Sequence, residues 1–117
     1  EPELKDFAPL GFDLHLLGMG AEGHINSMFP HSPAVREQKE LAVPVHDSPK
    51  PPSERITLTL PAVNRSERVW LLVAGEEKAT AAKNIVDGVD AEECPAAGAQ
   101  GTKETILFLA DDAAQEL

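Results

Sequence analysis

The stretch Asp13–Pro30 reads DLHLLGMGAEGHINSMFP, and two of its side chains, Glu22 and His24, are of types that move protons. An imidazole with an ordinary pKa of about 6.5 suits a general base near neutral pH. Glu22, two residues earlier, is close enough to fix the tautomer of the ring and to steady an imidazolium, the role an acid takes beside a working histidine. The glycines at 18, 20 and 23 spell G-x-G-x-x-G and leave three readings open. One is a dinucleotide fingerprint, one a flexible strand-to-helix turn, and one a turn that brings backbone close to a ligand and presents His24. The fingerprint needs a strand, a tight turn and then a helix long enough to aim its N-terminus at a pyrophosphate. Pro30 and Pro33 limit any helix from His24 to about two turns. The acids at Glu37 and Glu40 do not stand at the end of a second strand. The third reading places His24 on the first turn of a short helix, facing the crevice at the end of a strand.

The other reactive side chains have plainer readings. Cys94, the single cysteine, excludes an internal disulfide and a multi-thiolate metal site and fits a reducing cytoplasm. Its acidic neighbours in EECP disfavour a thiolate, so it is read as structural. His15 lies inside a strand and reads as a packed residue; His31 and His46 stand beside loop prolines and read as exposed. The four histidines show no H-x-x-x-H or H-x-H spacing, so no metal site is expected. Trp70, mid-strand, reads as core.

Five stretches must position these groups. FDLHLL (12–17) reads as a buried strand ending in the glycine turn. LAVPV (41–45) is apolar and β-branched, but Pro44 demotes it to an edge strand or extended connection. ITLTL (56–60) alternates with period two, with Thr57 and Thr59 on one face, and Pro61 fits the first turn of a short helix, PAVNRSE. VWLLVA (69–74) is a continuous apolar run, as for a strand covered on both faces. Gly75 ends it, and residues 76–86 form a helix with acids in its first turn. After a loop rich in small residues come a last buried strand, TILFL (105–109), and a closing helix, ADDAAQEL. Strands alternating with helices predict an α/β layer with a mostly parallel sheet flanked by helices.

The 117 residues allow at most one domain, and 42% apolar content places the chain among globular proteins. Ten basic against twenty acidic side chains give a formal charge of −10, which argues against a nucleic-acid partner. No apolar run is long enough for a membrane span, and no signal-peptide pattern opens the chain. An anionic ligand must therefore be held by a few local cations. Residues 1–11, EPELKDFAPLG, read as a loose lead-in. A parallel sheet of about four strands buried on both faces needs more covering helix than this chain supplies, so an N-terminal half is expected to be missing.

LLGMGAEGHINSMFP resembles the signature of the 6-phosphogluconolactonase family, roughly LLGMGxDGHxASLFP. DSPKPPSERITLTLPAVNRSERVWLLVAGEEKA (47–79) is similar to that family's P-K-P-P-x-x-R-I-T-L-T-L and V-x-G-x-x-K-A stretches. PAAGAQG and TILFLADDAA resemble its C-terminal end, so the likeness runs in order from Phe12 to Ala114. It implies a Rossmann-like α/β fold shared with glucosamine-6-phosphate deaminases and ribose-5-phosphate isomerases. It marks residues 1–117 as the C-terminal part of a single such domain. It further implies a cytoplasmic hydrolase of the pentose phosphate pathway that needs no metal and no cofactor and opens 6-phospho-D-glucono-1,5-lactone to 6-phosphogluconate.

In that reading His24 is the catalytic base. The N–H groups of the Gly20–Gly23 turn are candidates for stabilising the developing oxyanion. Glu22, where the family pattern has aspartate, is the orienting acid or a solvated one. Arg55 and Lys78 are the candidate phosphate ligands, the first through its planar fork and the second from a first helical turn. Lys50, held among prolines, is a third. Asn26 stands where the pattern has alanine and receives no role. The rival readings are a relative of the deaminases, which share the turn, the histidine and the lysine, and an inactive piece lacking the N-terminal phosphate loop. RITLTLPAVN, and the absence of a G-H-I-A-F-N-E-P pattern, favour the lactonase.

Overall fold

The computed structural model describes residues 11–117; the lead-in read at 1–10 lies outside them. Strand β1 (Leu14–Leu17) is followed by a long turn and a single helical turn, α1 (Pro33–Arg36), that starts on a proline whose missing N–H the helix does not need. Strands β2 (Ala42–Val45) and β3 (Arg55–Leu58) pair antiparallel as a two-stranded ribbon. After another helical turn, α2 (Leu60–Val63), come β4 (Arg68–Val73), a 3-10 turn (Glu76–Lys78), helix α3 (Ala79–Val86), a second 3-10 turn (Pro95–Gly98) and β5 (Glu104–Leu109). β1, β4 and β5 form one parallel sheet in the order β1-β4-β5.

ITLTL thus belongs to the side ribbon and not to the main sheet, and its alternation is inverted from the usual sense. Ile56 is 81% exposed while Thr57 and Thr59 are buried. The threonines can go inside because their hydroxyls are occupied. Thr57 Oγ1 donates to the Leu58 carbonyl and accepts the Ser27 N–H at 3.0 Å, and Thr59 donates to the Glu40 carbonyl and caps α2. Pro44 lies opposite Ile56 in the ribbon, where a missing N–H on an outer edge costs no ladder bond.

One face of the parallel sheet carries the core. Leu17, Val69, Leu71 and Val73 point into it, and α3 joins them through Ala81, with Ile25 and Met28 from the turn after β1. The expectation that VWLLV is covered on both faces is corrected by its partner positions. Leu16, Trp70 and Ile106 stand in one register row and Leu72 and Phe108 in the next. Of these, Leu16 is 56% and Leu72 48% exposed. Trp70 is therefore not core: it sits half-buried on the open face, edge-on to Phe108 and hydrogen-bonded through Nε1 to Glu104. The closing segment is a 3-10 turn, Asp111–Ala114, in place of the expected helix. Among the described residues no helix is long and apolar enough to cross a membrane.

Candidate active site

β1 and β4 are parallel neighbours, so the turns that leave their C-terminal ends lie side by side, where open α/β sheets place ligands. The turn after β1 carries His24 and the turn after β4 carries Lys78. Together with Gly18, Met19, Gly20 and Asn26 they line one open cleft of about 430 Å³. A larger hollow of about 610 Å³, bordered by Val35, Leu60 and Asp90, contains neither.

The glycine spacing resolves into distinct jobs. A Cβ on Gly20 would lie 2.1 Å from His24 Nδ1 and 2.4 Å from Glu22 Oε1, so the imidazole–carboxylate pair occupies the space that this glycine leaves. Gly23 has φ +92°, a conformation that only glycine adopts readily, and a Cβ added there would lie 2.6 Å from Cys94 Sγ. Gly18 meets nothing, and no helix follows the motif. Residues 24–30 are turns joined by an Ile25–Met28 bridge, with Asn26 at φ +52°. This corrects the expectation that His24 opens a short helix, because left-handed backbone at 23 and 26 precludes one. It also removes the dinucleotide reading.

His24 is 17% exposed, and its Nδ1 stands 2.5 Å from Glu22 Oε1. A carboxylate there only accepts, so Nδ1 carries a proton. In the neutral ring Nε2 then keeps its lone pair, the arrangement a general base requires, and in the imidazolium both nitrogens are protonated. The other side of the ring lies against Phe29, with centroids 4.5 Å apart and planes tilted by 35°. Partial burial pushes the Glu22 carboxyl up. The hydrogen bond from His24, the acid's own N–H and the positive charge of His24 and of Lys50 outweigh it, leaving Glu22 below the ordinary glutamate value. Lys50 Nζ sits 3.6 Å from the far oxygen, Oε2.

Two candidates behave differently from expectation. The Gly20 N–H donates to the His24 carbonyl and the Gly23 N–H to the Gly20 carbonyl, both at 2.9 Å. These bonds close the turn, so neither group is free to meet an oxyanion, and the two glycines serve the site by shape. Arg55 does not line the cleft with His24 and Lys78. Its Nε donates to the Pro52 carbonyl, Nη2 to those of Lys50 and Pro51, and Nη1 to Ser27 Oγ. Its guanidinium also lies over the Phe29 ring at 5.7 Å. In this structure the fork is engaged by the loop, and it ties the proline loop that carries Lys50 to Ser27 of the His24 turn.

Sequence reasoning missed the supports of the turn. Thr57 holds Ser27, Phe29 backs the imidazole, and the Ala96 N–H donates to the Gly23 carbonyl at 3.0 Å. The signal was present in TLTL and PAAG, which look like ordinary packing segments until the turn is placed against them. Cys94 is buried, with burial pushing its thiol pKa up, in keeping with a structural residue. His15 packs edge-on to Phe12, and burial lowers its pKa. His31 and His46 are exposed.

Comparison with known proteins agrees with this geometry. Residues 1–108 match the model of the glucosamine-6-phosphate isomerases/6-phosphogluconolactonase family. A 6-phosphogluconolactonase of Mycobacterium tuberculosis is 59% identical over 112 residues, covering 96% of this chain and 45% of that protein. One from Mycobacterium leprae is 52% identical over 91% of this chain and 43% of its own length. Among solved structures, a 6-phosphogluconolactonase from Thermotoga maritima superposes with a TM-score of 0.74 at 32% identity, covering 85% of this chain and 43% of that one. The chain spans about half the length of the curated relatives it matches. With the family model matching residues 1–108 of 117, the chain belongs to the glucosamine-6-phosphate isomerase/6-phosphogluconolactonase family.

Proposed function

We propose that the protein carrying this chain hydrolyses 6-phospho-D-glucono-1,5-lactone to 6-phosphogluconate, as a cytoplasmic enzyme of the pentose phosphate pathway. The observation that carries the reading is that His24, paired with Glu22 and with Nε2 unengaged among the described residues, lines the same cleft as Lys78. His24 Nε2 takes a proton from water as the oxygen of that water bonds to C1 of the lactone. Glu22 keeps the imidazole oriented and offsets the charge of the imidazolium. The tetrahedral adduct then collapses, the bond from C1 to the ring oxygen breaks, and the imidazolium returns its proton to that oxygen. The products are a hydroxyl and a carboxylic acid, which ionises. Lys78 meets the phosphate as a point charge, and Lys50, across Glu22, adds to the local positive field within a chain of formal charge −10.

The apolar face formed by Leu16, Leu72 and Phe108 supports one further element of the proposal. A sheet face of that kind is stable when another layer covers it, and the relatives are about twice as long as the matched region. Residues 1–117 are read as the C-terminal part of one domain whose remaining half covers this face and completes the substrate site.

The names of the similar proteins favour the lactonase over the deaminase, as does the RITLTLPAVN block. The test offers both substrates to the full-length enzyme. Release of acid from the lactone, lost on His24→Ala by about two to four orders of magnitude, supports the reading. Release of ammonia from glucosamine-6-phosphate without lactone hydrolysis overturns it.

A further inference from the structure

Asn26 lines the cleft beside His24 and Lys78 and is exposed, and its carboxamide has no hydrogen-bond partner among the described residues. Its backbone sits at φ +52°, in the left-handed region. Most side chains are disfavoured there by about 1–2 kcal/mol; asparagine is among the few that visit it routinely. The local fold therefore restricts this position to residues that tolerate such a backbone, and a glycine would satisfy that demand alone. Asparagine adds a group that both donates and accepts, two residues beyond the imidazole and on the same wall of the cleft. Backbone held in a sparsely populated region recurs at ligand-binding sites.

We infer that Asn26 is a specificity-determining residue, whose carboxamide hydrogen-bonds the hydroxyl on the carbon next to the lactone carbonyl. The inference rests on the lactonase reading. If Nε2 of His24 serves C1, the C2 hydroxyl is the hydroxyl bonded nearest to the reacting carbon, and so the neutral donor and acceptor that a cleft residue beside His24 is placed to meet. A hydroxyl is donor and acceptor at once, as is a carboxamide, whereas an anionic phosphate is matched better by Lys78. Lysine offers no acceptor, so the two residues divide the substrate between its sugar and phosphate ends.

The substitution that isolates the side chain is Asn26→Gly, which keeps the left-handed backbone and removes only the carboxamide. In the full-length enzyme it should lower kcat/KM for 6-phosphogluconolactone about tenfold, the usual scale for a lost hydrogen bond to a neutral group. The 2-deoxy lactone should lose a similar factor with the unsubstituted enzyme, and Asn26→Gly should lose nothing further on it. A substitution that merely loosened the turn would instead depress both substrates by the same factor, and that result would overturn the inference. So would an unchanged kcat/KM on the parent lactone. A loss that persists on the 2-deoxy lactone but vanishes on unphosphorylated gluconolactone would place the contact at the phosphate and overturn the assignment too. If the unsubstituted enzyme hydrolyses no lactone, the functional reading fails first and the inference with it.

Discussion

Replacing Gly20 by alanine should disable the site without unfolding it. The added Cβ would stand 2.1 Å from both Nδ1 and Cε1 of His24 and 2.4 Å from Glu22 Oε1, where ordinary contact begins at 3.4 Å. The backbone at Gly20 is not in the left-handed region, so the substitution brings no conformational strain, only the clash. Imidazole and carboxylate must move by about 1 Å or swing apart, and a misplacement of that size can cost about 10²-fold in rate. His24 borders the open cleft and Glu22 is partly exposed, so both can yield toward solvent, which keeps the loss of stability toward the low end of the roughly 1–3 kcal/mol typical of overpacking. Lactone hydrolysis followed by acid release should therefore show kcat reduced about a hundredfold, KM changed little and a melting temperature within a few degrees of the parent. Gly18→Ala is the internal control, because a Cβ there meets nothing within 4 Å. A fully active Gly20→Ala enzyme would refute the claim that this glycine makes room for the pair. Equal damage at Gly18 would point back to a phosphate-cradling loop.

Other perturbations probe the remaining parts. Lys78→Ala should raise KM for the phosphorylated lactone about ten- to a hundredfold, the range for a lost hydrogen bond to a charged group, while hydrolysis of unphosphorylated gluconolactone stays level; steady-state kinetics on both substrates check it. Glu22→Gln should lower kcat about tenfold with little change in KM. Because the Glu22 pKa is depressed by its partners, the stability that its ionised form contributes is fully present above the ordinary value of 4.5 and is lost as pH falls through the folded-state value below it. The melting temperatures of parent and Glu22→Gln should thus differ by a constant amount above that pH and converge beneath it. Thr57→Val, nearly isosteric, leaves the part-buried Ser27 N–H without its acceptor and should cost about 1–3 kcal/mol, read by urea unfolding, together with a fall in kcat as the His24 turn loosens.

The sheet strands were legible because their apolar runs are long and end in glycine: LHLL before Gly18 and RVWLLV before Gly75. What the runs could not tell is which faces are covered, since Leu71 and Leu72 are the same residue with opposite surroundings. Burial on a second face depends on a layer that no local pattern in these residues encodes. The threonine strand was legible by its alternation, but which face is buried was not, for a related reason. Thr57 and Thr59 are inside because they find hydrogen-bond partners at Ser27, Glu40 and Ala62, and those partners are distant or unremarkable in sequence. The His24–Glu22 contact was legible from residue types two positions apart, whereas Lys78 was singled out by its first-turn position and the family resemblance, and the structure places it in one cleft with His24. Arg55 was legible as a cation near the site, but its type alone could not say that four of its N–H groups would go to loop carbonyls and a serine.

That placement of Arg55 bears on how, in the proposed function, so acidic a chain would prepare a site for an anion. A lysine that hangs over the Glu22–His24 pair from a flexible loop would spend most of its time in solvent, and a surface pair of that kind contributes little. Here the loop is fastened by the guanidinium, which binds three successive carbonyls, from Lys50, Pro51 and Pro52, and is itself backed by Phe29, the same ring that supports His24. One aromatic side chain therefore sets both the plane of the base and the height of the loop that carries Lys50. The cation and the imidazole are registered to each other through a rigid part instead of through their own contact. In the proposed lactonase, a site assembled this way would hold its charges in place before the substrate arrives, and electrostatic stabilisation is effective when the charges need no reorganisation during the reaction.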